Sequence, residues 1–428
     1  MKKVVGLILF MASVAAITAC SSSSPNQKRI PEAQVHAIGQ SADKLTDDLS
    51  LVAIKSKYLL DDTVKTRVYL YVDAYKGQNP IAVEDFIKSF NLNYVIYSEY
   101  GTRDRLGYGN VKLDHNNVHS IENKIVITFE FNSPNKEHGV LLSEISQIGT
   151  LKKVLNDLSL SFKNKDTNNH FGIYSQNDDI PNKRHFVRGN ESFTVKDLAR
   201  SSQTLQVFYY AHQFDPAGSP MNTSPKTASK KLEIDSTFTI NANENLQFSK
   251  EGLYNIFADT TQREGLGLLV VNERFPKTTR PELLVEPLLY VSTNNEIKEV
   301  QTSENYKKTL DKYWLNLMNG NAPLAQQSIR NYYHRVEDAN QLFTTYKEGW
   351  KTDQGMIYIV LGPPDKVQRS KDKEVWTYGQ RGNAQNVNFT FNRRNNQFVD
   401  DHYELVRYAE YQPIWYPVVE AWRNGSIR

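Results

Sequence analysis

The chain has 428 residues, 51 Lys and Arg against 48 Asp and Glu, a formal charge of +3 and one cysteine. So small a charge argues against nucleic acid as a partner, and one thiol excludes an intrachain disulfide. Two or three hydrophobic cores, which this length can supply, must hold the fold.

Lys2 and Lys3 precede an apolar stretch from Val4 to Ile17, about 14 residues where a spanning helix needs about 20. That order reads as a secretory signal over residues 1–19. The run Ile17-Thr18-Ala19-Cys20 resembles the lipobox of bacterial lipoproteins, which implies that Cys20 is lipidated and begins the mature chain. Ser21 after the cysteine resembles an outer-membrane sorting signal, and the serine run Ser21 to Ser24 lacks the acidic cluster of surface-export signals. The expected location is therefore the outer membrane, facing the periplasm, with acyl chains contributing about 0.8 kcal/mol per buried CH₂. Residues 20–48 are expected to be the lipidated cysteine and a polar tether.

Leu51 to Leu60, Val64 to Lys76, Leu92 to Tyr100 and Lys124 to Phe131 alternate apolar and polar residues or carry β-branched and aromatic runs, which predicts strands. Val68, Leu70 and Val72 fall on one face and the tyrosines on the other. An immunoglobulin-like β-sandwich is expected over 49–163, ended by the polar break from Lys163 to Asn169. A second is expected over 170–300, with strands at Thr204 to Ala211, Ser236 to Asn241, Gly252 to Asp259 and Leu266 to Asn272, and an exposed loop from Pro216 to Pro225.

All five tryptophans, Trp314, Trp350, Trp376, Trp415 and Trp422, follow Thr302, so a separate α+β domain is expected over 303–428. Tyr306, Leu310, Tyr313, Trp314 and Leu317 recur at helical spacing, as do Ile329, Tyr332, Tyr333, Val336, Ala339, Phe343 and Tyr346. Gly320 suits the end of the first helix and Pro323 the start of the second. An antiparallel meander at Met356 to Leu361, Glu374 to Tyr378 and Val387 to Phe391 is expected to follow.

Between the second helix and the meander stand Gly349-Trp350-Lys351-Thr352-Asp353, then Gly355 and Gly362-Pro363-Pro364-Asp365. With Glu374-Val375-Trp376-Thr377-Tyr378, these residues make the stretch from Tyr306 to Arg428 resemble the bacterial envelope proteins named for a GWxTD sequence. The resemblance implies an exported protein, often with β domains ahead of the motif. It supplies no reaction, so no catalytic residue, cofactor or metal is carried over. Physically the motif reads as a helix-to-strand corner: Gly349 closes a helix in a left-handed conformation, Trp350 caps the core, and Thr352 or Asp353 bonds nearby backbone. The proline pair would then end the strand in a rigid turn. The functional alternative places Asp353 and Asp365 in one pocket.

A nucleophile at Thr352 would need a positioned base. His334 and His402 are single histidines that supply no clear one, and His115 with His119 reads as a solvated hairpin loop rather than a zinc site. Tyr408, Tyr411, Trp415, Tyr416 and Trp422 form either a protein- or glycan-binding surface or a tail folded onto its own core. Three functions are carried forward. The first is a lipid-anchored interaction or scaffold protein with an envelope protein partner, docked by the C-terminal domain. The second is binding of peptidoglycan or another glycan, and the third is an unrecognised hydrolase.

Overall fold

Val68, Leu70 and Val72 point into one core while Tyr69 and Tyr71 point into another, so a central strand of the first module is buried on both faces. The computed structural model describes residues 35–36, 49–61, 65–176, 178–224, 232–379 and 386–427. Cys20, the expected signal, and the expected tether apart from 35–36 lie outside the described residues.

The chain order begins with β1 (Val35–His36). β2 (Leu49–Asp61), β3 (Lys65–Lys76), β7 (Val118–Ile121) and β8 (Lys124–Asn132) form a sheet in the order β2-β3-β8-β7, with β4 (Asn79–Pro80) on β3. β5 (Phe90–Tyr97), β6 (Arg105–Val111), β9 (His138–Gln147) and β10 (Lys153–Ser161) form a second, in the order β10-β9-β5-β6. Ile54, Val68 and Leu70 from the first sheet meet Leu92, Leu141 and Leu160 from the second. This is the sandwich that alternation predicts. α1 (Val83–Ser89) adds Phe86 to that core against Phe90, ring centroids 4.8 Å apart.

α2 (Thr167–His170) links to the second sandwich. There β11 (Phe171–Ser175), β13 (Ser192–Asp197) and β16 (Leu246–Gln247) face a sheet in the order β12-β18-β17-β14-β15, made of β12 (Phe186–Arg188), β14 (Thr204–Tyr210), β15 (Ser236–Asn241), β17 (Gly252–Phe257) and β18 (Leu266–Val271). The last strand ends at Val271, which corrects the expected extent to residue 300. Residues 281–301 form α3 (Pro281–Val285), a 3-10 turn (Glu286–Tyr290) and α4 (Asn294–Gln301), and Val285, Leu288, Tyr290 and Val300 join the C-terminal core. Pro281 in a first turn and the Thr293–Glu296 capping box start these helices.

α5 (Tyr306–Leu317) and α6 (Ala322–Phe343) appear where helical spacing places them, with Gly320 at φ +82 between them. The expected strand at Met356 to Leu361 is instead α7 (Asp353–Leu361). Six apolar residues in a row fit a buried strand or a buried helix alike. Thr352 selects the helix by accepting the Gly355 N–H at 2.9 Å. Because Met356, Ile357, Ile359 and Val360 are all fully buried, no polar face marks the period in the sequence.

β19 (Lys366–Ser370), β20 (Lys373–Tyr378), β21 (Val387–Arg393) and β22 (Tyr403–Leu405) complete the meander, and α8 (Gln412–Arg423) ends the fold. β1 pairs with the free edge of β19, Val35 opposite Val367, so part of the expected tether is a strand of the C-terminal sheet.

The modules meet through both apolar and charged contacts. Tyr69, Tyr71 and Val126 of the first pack on Tyr174 of the second, while Phe398 and Val399 lie on Leu269 and Tyr210. Arg369 joins Glu374 at 2.5 Å to Asp157 of β10 at 3.8 Å, and Asn168 bonds Asp400. Burial, with Lys183 beside them, pushes the Lys55 and Lys57 ammonium groups down to about 8. Burial and a hydrogen bond to Asp400 push the Glu264 carboxyl up to about 8.

Candidate functional site

The corner between α6 and α7 is built by backbone approach. α6 ends with Thr344, whose hydroxyl donates to Asn340 O at 2.6 Å and accepts the Gly349 N–H at 2.9 Å. Asn340 Oδ1 accepts the Trp350 N–H at 3.0 Å. A Cβ on Gly349 would stand 1.9 Å from Ala339 O, and one on Gly355 would stand 1.9 Å from Gly349 O. Both glycines are required by this close packing. The left-handed backbone expected at Gly349 is absent; the glycine sits in a 3-10 turn (Gly349–Lys351), and the corner leads to a helix rather than a strand.

The remaining motif side chains are committed to the same corner. Trp350 is buried on Tyr290, whose hydroxyl donates to Trp350 O at 2.9 Å. Thr352 Oγ1 donates to Gly349 O at 2.7 Å while capping α7. Asp353 accepts the Leu405 N–H at 2.8 Å and forms a two-pronged pair with Arg407, Nη2 to Oδ1 at 2.5 Å and Nη1 to Oδ2 at 3.3 Å. Arg407 also donates to Leu405 O, Ser219 O and Gly218 O at 3.2, 3.2 and 3.4 Å. Every donor of its guanidinium is thereby used.

At the other end of α7, Gly362 adopts φ +85 and its N–H bonds Tyr358 O at 2.8 Å, which ends the helix. Pro363 and Pro364 follow, and the exposed Asp365 accepts the Gly379 N–H at 2.6 Å. Asp353 and Asp365 thus face different surroundings, and the single pocket weighed for them does not form. His115 lies in the turn before β7, His119 is in β7, His334 is exposed on α6, and His402 lies 3.7 Å from Glu404. Among the described residues no group of three or more His, Cys, Asp or Glu is placed to hold a metal.

The C-terminal aromatics divide. Tyr411, Trp415 and Trp422 are buried, and Trp422 Nε1 donates to Val360 O at 3.0 Å. Tyr408 and Tyr416 are exposed at 49% and 55%. The five-residue surface considered from sequence is therefore reduced to these two tyrosines, since helical periodicity in α8 turns the tryptophans inward.

Above the corner lies a groove of about 1120 Å³. Its walls are the loop 217–221, the segment Leu289–Ile297 and α8, and Met356 and Trp415 form part of the floor. Arg407 and the Tyr408 N–H hold the 217–221 carbonyls in place, so the motif aspartate supports one wall through its arginine. The opposite wall is fixed by Arg423 on Glu296 at 2.8 Å and on Val291 O at 3.1 Å. The Arg423 hydrogen bond holds the Glu296 carboxyl down at about 2. Sequence reading misses this groove because its walls come from three separated segments, one of them taken for an exposed loop.

Residues 252–424 match the family model of the GWxTD domain. The matched region begins inside the second sandwich, at β17 and β18, where Gly267 N–H bonds Phe398 O at 3.1 Å. No curated protein matches the chain.

Proposed function

We propose that this GWxTD domain-containing chain is a lipid-anchored interaction protein of the bacterial outer membrane, facing the periplasm, and that its groove receives an apolar segment of an envelope protein. The groove carries this reading. Leu289, Val291, Ile297, Met356 and Val419 supply apolar lining, and a concave apolar site of this volume suits the ridge of a helix or an extended segment. Thr352 and Asp353 are bound up in the corner beneath it, which favours docking over chemistry at the motif.

The test is a photo-crosslinking residue at Tyr416, on the groove rim, in the full chain in its native membrane. The expected result is a discrete protein adduct that disappears when Ile297→Trp fills the groove. Equal crosslinking from Tyr108, on the first module, or persistence of the adduct in the filled variant would defeat the proposal. Glycan binding rests on Tyr408 and Tyr416; sedimentation with purified cell wall that is lost in Tyr408→Ala/Tyr416→Ala would favour it instead.

A further inference from the structure

The turn between β9 and β10 presents Ile148 at 51% and Leu151 at 100% exposure. These two aliphatic side chains protrude from a built turn. Gln147 N–H bonds Lys152 O at 2.9 Å, Thr150 N–H bonds Gln147 O at 3.2 Å, and Ile148 N–H bonds Ser89 O at 2.9 Å. Thr150 Oγ1 accepts the Lys152 N–H at 3.1 Å, and Gly149 takes φ +76. These bonds hold the turn while the apolar groups face outward.

The surroundings are basic. From Ile145 to Asn156 the chain carries Lys152 and Lys153 and no carboxylate. Lys88 is exposed in the last turn of α1, next to the Ser89 that bonds Ile148. Glu144 pairs with Lys153 at 2.7 Å, and Glu84 and Asp85 lie in the first turn of α1, where Asp85 pairs with Lys76 at 3.0 Å.

We propose that this hairpin tip is a membrane-contacting element, with Ile148 and Leu151 entering the interface of an anionic bilayer and the lysines at headgroup level. Two side chains are far too few for a stable protein interface, which takes about 800 Å² from each partner. Aliphatic groups rimmed by lysine instead suit a lipid surface. The position of the tip near a bilayer rests on the anchor reading above. Fourteen residues lie between Cys20 and Val35, a span of at most roughly 50 Å, and β1 lies beside β10, the strand that leaves the tip.

The experiment uses the full chain with Leu151→Cys, labelled with an environment-sensitive fluorophore. Lipid on Cys20 would leave position 151 as the one reactive thiol, and a mass spectrum of the Cys20 peptide checks this. In protein-free vesicles of phosphatidylethanolamine and phosphatidylglycerol, the label is expected to shift to the blue and to be quenched by nitroxide-bearing lipid. A label at Tyr108→Cys is expected to do neither. Lipid on Cys20 with a water-exposed label at 151 overturns the inference and leaves the anchor standing. Absence of lipid on Cys20 removes the anchor instead, and the tip is then judged by cosedimentation of the unlabelled chain with the same vesicles. Loss of binding in Ile148→Ser/Leu151→Ser supports the tip; equal sedimentation of the two overturns it.

Discussion

A methyl group at Gly349 would meet Ala339 O at 1.9 Å, and that oxygen belongs to helical backbone that cannot swing aside. Gly349→Ala should therefore cost about 3 kcal/mol or more, at the upper end of overpacking, read as a lowered urea midpoint. Gly218→Ala, which meets nothing within 4 Å, should leave that midpoint unchanged. Asp353→Asn removes the counter-charge of a guanidinium whose side chain is 12% exposed, and breaking such a pair costs about 3–5 kcal/mol. The same variant should loosen the loop 217–221, measurable as faster amide exchange there. Sequence reading anticipated that Thr352 or Asp353 bonds nearby backbone, and Thr352 does so at Gly349 O and Gly355 N–H. The partners of Asp353, the Leu405 N–H and Arg407, lie 52 and 54 residues away, separations that only the folded sheet brings to contact distance.

Elements were legible where their period shows. The β-branched and aromatic runs of β3 and β8 locate those strands although both their faces are buried, while β14, α5 and α6 are located because one face differs from the other. α7 escaped because burial on all sides erases that difference, and β19 and β22 because short strands leave too few residues to count. In α8 the spacing decides function as well as shape. Trp422 is 1% exposed, contacts Tyr332 with centroids 5.3 Å apart and bonds Val360 O. Trp422→Ala should cost about 3–5 kcal/mol, seen as a large fall in the denaturation midpoint. A solvent-facing glycan platform would instead leave stability intact.

At the scale of the molecule, the junction of three modules contains groups whose titration is coupled to folding. Glu264 shifts from 4.5 up to about 8, so between those values the fold keeps a proton that the unfolded chain has released. Its contribution to stability is present below the lower value and is lost as pH rises through the upper one. Glu264→Gln, which cannot titrate, should flatten the decline in urea midpoint across that window. Lys55 and Lys57 act oppositely and later: with values lowered from 10.5 to about 8, their release of protons on folding makes stability rise with pH above the window. Separate pH ranges let the two effects be distinguished. None of this could be read along the chain, because Lys55, Glu264 and Asp400 come from three different modules.

The pairing of β1 with β19 also determines how a load travels through the protein. Tension applied at the N-terminus reaches the C-terminal sheet first, at a contact two residues long, before it reaches β2. A contact of two residue pairs should part under load before either sandwich does. Its release would add the twelve residues 37–48 to the line between the pulled end and β2, a contour of at most roughly 40 Å, without unfolding either sandwich.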